Sequence, residues 1–404
     1  MINPLTWLSR RRFPYQPLIT VEISRNRLLH NLHEFRKLAP KMTHTVRAGF
    51  SLKPVQTSPT PIGMVAPVLK SNAYGHGFQE VAAILRHETQ IPFFVVDSYF
   101  EALALRSAGV RAQILIMGYT RPETILHSHL SNTVFTITSL ETLRHLEETT
   151  NRIPVHLKID SGMHRQGILP DEVERATELL SENPLIVLKG ICSHLCDADN
   201  VDPSFTEGQI NKWNKIARHF KAEFSTLEYI HLAATDGHRY TGDIEANVSR
   251  LGIGLYGLVD AHGFTPALDL LPVMSMKTII TSIKKISRDM TVGYGNTFEA
   301  QKDMTIATIP AGYYEGVDRR LSNIGSIGVG QENAVCSIVG RVSMNITTLD
   351  VSHLTDIHIG TPVTVVSNNT TDQNSILSMA KKCGTIPYEI AVHVPAQLKR
   401  VIVE

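Results

Sequence analysis

The chain has 404 residues, 43% of them hydrophobic, with 39 Lys and Arg against 38 Asp and Glu. That length holds two or three ordinary domains, or one large barrel with a smaller companion. A formal charge of +1 excludes the basic footprint of a nucleic-acid binder and an acidic tail, so the expected partners are small molecules or a second copy of the chain.

The N-terminus carries Ser9-Arg10-Arg11-Arg12-Phe13, similar to a twin-arginine export signal. Pro14, Tyr15, Gln16 and Pro17 stand where the apolar stretch of such a signal belongs, so the segment reads as a basic surface arm. A strand-like run at 18–23 and a helix at 27–37 follow, the latter with Leu28, Leu29, Leu32 and Phe35 on one face. Residues 39–63, with four prolines and several Ser and Thr, are longer than most connections and read as a surface excursion.

From there short apolar runs alternate with amphipathic stretches. The candidate strands are 65–69, 93–96, 114–117, 134–137, 155–159, 187–193, 229–232 and 247–250. Between them lie helical patterns such as 78–86, 140–147, 171–180 and 207–220, and Ser139 and Thr206 are helix-start signals. Doubly apolar strands with intervening helices predict an α/β fold, a parallel (β/α)8 TIM-like barrel. An open doubly wound sheet is the alternative, but the G-x-G-x-x-G it would want after the first strand is absent.

Past residue 270 strand-like runs dominate, at 276–283, 304–309, 335–338, 361–366 and 391–394, with one helix near 374–382. The expected organisation is an N-terminal arm and strand over 1–25 that pairs with the C-terminal domain, a barrel over 26–268, and a mainly-β domain over 269–404. No apolar run approaches the roughly 20 residues of a membrane span. Cys192, Cys196, Cys336 and Cys383 are too scattered for a disulfide framework. Cys192 and Cys196 could be read as a metal pair, but no second pair sits at zinc spacing. Thiols in a reducing cytoplasm are the better reading, and no metal is expected.

Lys70 ends the first candidate barrel strand. A lysine at a barrel mouth can be a solvated surface cation, or an amine placed for Schiff-base chemistry. Its surroundings decide: V-L-K-S-N-A-Y-G-H-G, residues 68–77, closely resembles the cofactor-anchoring signature of the alanine racemase family. K-I-D-S-G-M-H-R-Q-G, S-H-L-C-D-A-D, H-L-A-A-T, R-L-G-I-G-L-Y-G, G-Y-G-N-T-F, G-Y-Y-E-G, G-R-V-S-M-N and T-I-P-Y-E-I follow in the same order, to residue 390.

The resemblance implies a pyridoxal 5'-phosphate-dependent isomerase of fold type III, interconverting L- and D-alanine and supplying D-alanine for peptidoglycan. It implies that Lys70 holds the cofactor aldehyde and is the base on one face, and that Tyr294, from the partner of a homodimer, is the base on the other. His194 and Arg250 are implied as the groups that support Tyr294, with Arg250 also facing the pyridine nitrogen. Tyr74, Thr235, Gly252, Ile253 and Tyr388 correspond to phosphate contacts. Arg165 corresponds to a contact of the ring hydroxyl and the substrate carboxylate, and Met344 to a partner-subunit amide at that carboxylate. Tyr313 joins Tyr294 and Tyr388 in an inner gate, with Arg319, Arg341 and Asp199 in an outer layer. Lys158 corresponds to a lysine carbamylated in many members; the other reading is an ordinary buried or paired lysine.

The chain departs from the family pattern at Ala234 (usually Asn), Thr235 (Ser), Glu315 (Asp) and Asn345 (Asp), and an arginine often seen after the last motif is replaced in the Val392-His393 stretch. A racemase of broader specificity, a fold-related decarboxylase, and a non-catalytic cofactor carrier are the competing readings. The decarboxylase would want a cysteine near Ser343-Met344, and the carrier would lack the β domain.

Overall fold

The structure, a computed structural model, describes residues 15–38, 64–259, 264 and 267–404. The basic arm at 9–13 and the excursion at 39–63 lie outside the described residues. Two compact units emerge, Arg25–Leu271 and the N-terminal segment to Ser24 with Pro272–Glu404.

The larger unit is built on eight parallel strands. Six form one sheet, Phe94–Val96, Ile114–Ile116, Thr133–Ile137, Ile153–Lys158, Ile186–Cys192 and Tyr229–His231, in chain order. Met64–Pro67 and Val248–Leu251 pair in parallel. A Val68–Val95 bridge joins this pair to one edge of the sheet. Asn247 N to Ile230 O and Arg250 N to Ala233 O, both 3.0 Å, join it to the other. The eight strands thus close into the expected barrel. Their side chains are almost all buried, Thr133–Ile137 at every position, which is why these strands read as continuous apolar runs rather than alternating ones.

The helices cover the barrel with one apolar face each. Arg25–Leu38 buries Leu28, Asn31, Leu32 and Phe35, at i, i+3, i+4 and i+7. Asn31 is the polar member of that row. Its amide donates to the Leu255 and Leu271 carbonyls at 3.1 and 2.8 Å and its oxygen accepts from Leu271 N. Ser204–Glu223 buries Ile210, Trp213, Ile216, Ala217 and Phe220, and Trp213 Nε1 donates to Glu245 O at 3.0 Å.

The smaller unit holds a six-stranded sheet in the order Ala334–Ser337, Ser326–Val329, Pro362–Val366, Met274–Ile279, Thr20–Ser24, Lys399–Val403. Thr20–Ser24 runs antiparallel to Met274–Ile279 and parallel to Lys399–Val403. Ser282–Ile286, Met304–Ile309 and Thr347–Asp350 make a three-stranded sheet.

Two sequence-based expectations are corrected here. The run at 276–283 is two strands in different sheets, because the chain crosses over at Ile280 and Thr281, whose amides go to Thr361 O and Thr308 O. The run at 391–394 is not a strand. Pro387 opens a helix, Pro387–Val392, that buries Ile390 and Ala391, and a run that short cannot be told from a buried helical turn by periodicity.

Trp213 is fully buried and also hydrogen-bonded, so Trp213→Ala should destabilise the larger unit by about 3–5 kcal/mol. Chemical denaturation of the variant beside the parent protein measures this, and a loss under about 1 kcal/mol would contradict the packing described.

Candidate active site

Lys70 follows the first barrel strand at its carboxyl end and is half-buried. The chain then makes an unusual turn: Ser71, Asn72, Ala73 and Tyr74 all have φ near +53 to +54°. A left-handed conformation costs an L-residue about 1–2 kcal/mol, so four in a row need strong support. Ala73 N reaches Leu69 O at 2.8 Å, Gly75 N reaches Ser71 O at 3.1 Å and Gly77 N reaches Asn72 O at 2.9 Å. The Glu101 carboxylate accepts from Ser71 N and Asp97 N, and Asn72 Oδ1 accepts from Phe78 N. His76 Nδ1 donates to the Tyr74 and Ala73 carbonyls at 2.9 and 3.1 Å, and its ring stacks on Tyr256 at 4.3 Å. Tyr256 donates to Val68 O at 2.9 Å. Burial pushes the Tyr256 phenol well above its ordinary pKa, so it is a brace and not a base.

The turn delivers the Tyr74 hydroxyl to the ends of the last two strands. A Cβ on Gly252 would lie 2.6 Å from Tyr74 Oη and 3.9 Å from Thr235 Oγ1. Glycine therefore keeps open a hollow walled by two hydroxyls and the Gly252–Ile253 backbone. Thr235 is oriented by the Gly254 amide, which donates to its Oγ1 at 3.2 Å. Neutral hydroxyls and backbone amides at this end of a barrel suit a phosphate group.

Arg250 is the next-to-last residue of the last barrel strand, Val248–Leu251, and is 3% exposed. Its Nη2 donates to Ser193 O at 2.7 Å and Leu232 O at 3.0 Å, and its Nη1 to His231 O at 2.9 Å. Nη2 also meets His194 Nδ1 at 3.3 Å, and Nη1 meets His231 Nδ1 at 2.6 Å. A guanidinium only donates, so both imidazoles accept on Nδ1. Burial, then the charges of Arg250, Arg165, Lys158 and Lys70, hold His194 down at about 3. His194 is thus neutral and carries its proton on Nε2.

Lys158 ends the fifth strand, and Lys158, Cys192 and His231 are cross-strand Cα partners in one row. Burial lowers the Lys158 ammonium below its ordinary range, and Arg165 and Arg250 push the same way. Arg165 is exposed on the loop after that strand, where Asp160 Oδ1 accepts from Gly162 N and His164 N. Cys192 is buried and Cys196 exposed, both as free thiols, and Asp199 is exposed.

The remaining sequence-derived residues belong to the smaller unit. Tyr294 is 71% exposed on a turn between Gly293 and Gly295, both with φ above +70°, and the Arg341 guanidinium lies against Gly295. Tyr313 and Met344 sit on two loops zipped together by Tyr313 N to Ser343 O and Tyr314 N to Met344 O, at 3.0 and 2.9 Å. The approach is so close that a Cβ on Gly312 would lie 2.2 Å from Ser343 O. Tyr388 lies on the short helix Pro387–Val392, and Arg319 is exposed.

His231 and His156 are buried polar residues of the site that the sequence motifs do not single out; the signal the sequence offers for them is a histidine inside a run of doubly buried strand residues.

Family models agree with this architecture: "Alanine racemase, N-terminal domain" matches residues 55–260 and "Alanine racemase, C-terminal domain" matches 273–402. Alanine racemase 2 of Oceanobacillus iheyensis is 34% identical over 342 residues, 83% of this chain and 85% of that protein. The alanine racemase structure from Clostridium difficile superposes with a TM-score of 0.83 at 27% identity, covering 96% of both chains. A Bacillus anthracis alanine racemase structure with bound L-Ala-P gives 0.83 at 26% identity, covering 97% of this chain and 96% of that one. The barrel with its β unit, together with these matches, defines a pyridoxal 5'-phosphate-dependent isomerase of fold type III. The chain belongs to the alanine racemase family.

Burial, the largest cause in each case, holds His156 and His194 at about 3 and His238 at about 4, and His231 well below its ordinary value. In the unfolded chain each takes up a proton near pH 6.5, so the unfolded state binds more protons between there and the folded values. Stability present above about pH 6.5 should therefore fall as the pH drops below it. The melting temperature should decline from pH 7 to pH 5, and a flat profile would contradict these buried neutral imidazoles.

Proposed function

We propose that the protein interconverts L- and D-alanine with two proton-moving groups on opposite faces of the substrate Cα, Lys70 Nζ and Tyr294 Oη. The observation that carries this reading is the convergence of Lys70, His194, Thr235, Arg250 and Gly252 on the carboxyl ends of the strands of one parallel barrel. Barrel enzymes do their chemistry at that end.

Pyridoxal phosphate, when bound, supplies an aldehyde for the amine and an electron-withdrawing ring for the bond broken at Cα. Tyr74, Thr235, Tyr388 and the Gly252 and Ile253 amides would hold its phosphate. Arg250 keeps its proton at working pH, so it would offer the ring nitrogen a hydrogen bond without protonating it, which would disfavour side reactions such as transamination. Arg165 would meet the ring hydroxyl and the substrate carboxylate, with the Met344 amide on that carboxylate from the other side.

Lys70 takes the Cα proton from one face while the Tyr294 phenol delivers one to the other; in the reverse direction the roles exchange. A phenol ordinarily titrates near 10 and needs support as a base. The His194 Nε2–H, its Nδ1 already engaged by Arg250, is the donor we assign to the Tyr294 oxygen. Tyr294 and Met344 are assigned to the partner's site in a homodimer; their exposure on the smaller unit, 71% and 56%, supports this. Tyr313, Tyr388 and Tyr294 form a narrow gate that suits a methyl side chain.

Lys158 is assigned as a carbamate. Its amine attacks carbon dioxide, an N–C bond forms and a proton leaves, giving an anion beside Arg165. Burial favours the neutral amine that this requires. The free thiols suit a reducing cytoplasm, where D-alanine would feed peptidoglycan synthesis.

Cofactor-loaded protein given L-alanine should yield D-alanine by chiral analysis. Tyr294→Phe should keep the cofactor's absorbance and lose at least about 100-fold in kcat; an active Phe variant sinks the two-base reading. Mixing inactive Lys70→Ala with inactive Tyr294→Phe protein should restore part of the activity, because the hybrid holds one site with both groups. No recovery, with subunit exchange verified, means that Tyr294 does not act across subunits.

Removing carbon dioxide at mildly acidic pH should lower activity, and bicarbonate should restore it. Native mass spectrometry that finds no added CO2 on the active protein counts against the carbamate.

A further inference from the structure

The buried face of the barrel below Arg250 holds two histidines that the proton transfers do not use. His231 Nε2 lies 2.9 Å from His156 Nδ1. Both rings are fully buried, beside Phe93, whose centroid is 5.5 and 5.6 Å from theirs. His156 has Gly190 as its cross-strand Cα partner, and a Cβ there would lie 2.6 Å from His156 Nε2. Glycine is thus the residue that leaves room for this imidazole in the barrel interior.

The direction of every proton in this chain follows from one end. Arg250 has only donors, so His231 Nδ1 must accept, and neutral His231 carries its proton on Nε2. That proton points at His156 Nδ1, which must accept in turn. His156 then carries its own proton on Nε2, an atom with no hydrogen-bond partner among the described residues. A second proton on His231 would set donor against donor at the guanidinium, and a second proton on His156 would do the same at His231. Burial, reinforced by the Arg250 charge, disfavours both.

We propose that His156 is a positioning residue: by accepting the His231 Nε2–H it holds that imidazole in the orientation that presents a lone pair to Arg250 Nη1, and so fixes the guanidinium at the barrel mouth. The chain runs one way and stops at His156, so it orients and does not relay protons. Without an acceptor at 156, His231 keeps an unpaired N–H in the core or turns away and releases Nη1. The catalytic consequence rests on Arg250 facing the cofactor ring; the tautomers do not.

Long-range 15N–1H NMR of histidine-labelled, cofactor-loaded enzyme should find both rings as neutral Nε2–H tautomers, unchanged from pH 6 to 9. A Nδ1–H pattern or a titration in that range at either ring overturns the proposal. His156→Phe should lower kcat by about tenfold and shift the absorbance of the bound cofactor. His156→Asn, whose Oδ1 falls where Nδ1 was, should restore both. A Phe variant with unchanged kcat and spectrum, or an Asn variant as impaired as Phe, also overturns it. Arg250→Lys reports on the parent reading separately: an unchanged cofactor spectrum there sinks the placement of Arg250 on the ring, while the NMR result still decides the tautomers.

Discussion

The site depends on a permanent cation held inside a barrel. A buried charge is tolerable only when its donors are matched, and Arg250 meets the carbonyls of Ser193, His231 and Leu232 together with two imidazole nitrogens. All these partners lie at or just past the ends of two neighbouring strands, so the guanidinium can stay dry only if the barrel is closed there. The same donors set the tautomers of His194 and His231. The charge also bears on Lys158, His194 and His156, lowering the pKa of each after the larger effect of burial. Electrostatics at the mouth follow from one side chain and from the strand ends that cradle it.

Opposite this cation the chain carries strain in its backbone. The left-handed turn after Lys70 is held by Glu101, Asn72, His76 and Tyr256, none of which moves a proton in the reaction. Strained backbone persists where its surroundings over-determine it, and such places tend to be functional. Here the consequence is positional: the turn sets Lys70 at the first strand end and brings the Tyr74 hydroxyl over Gly252, so in the proposed site one short segment would serve both ends of the cofactor.

Much of the barrel was legible from the sequence, because a doubly buried strand must be apolar throughout and a covering helix must repeat at 3.6 residues. The β unit was less so. Its strands are short, one is broken at Ile280, and the run at 391–394 turned out helical because of Pro387. Lys70, Arg250 and Thr235 could be singled out from the residues around them. The His231–His156 pair could not, since 75 residues separate the two and only the barrel's register brings them together. Nor could the left-handed turn, because Ser71, Asn72 and Ala73 carry no local demand for positive φ apart from the asparagine.

Departures from the family pattern change meaning once they have neighbours. In the sequence Glu315 and Asn345 stand as two separate departures. In the structure they are one feature: the Asn345 amide donates to Glu315 Oε1 at 2.6 Å while Oε2 accepts from Gly312 N at 2.9 Å. A carboxylate at 345 would face the Glu315 carboxylate across that same gap, and like charges so close cannot both stay ionised without cost. The longer acid and the neutral amide therefore suit each other, and together they tie the loop of Tyr313 to the loop of Met344. Nothing in the structure explains Ala234, whose carbonyl, the group any residue would supply, accepts from His238 Nδ1 at 2.8 Å. Thr235 keeps the hydroxyl that serine would supply and adds a methyl packed beside Gly254. Glu315, Asn345 and Thr235 adjust how a loop or strand end is held, and the groups assigned to move protons are left as the family pattern has them.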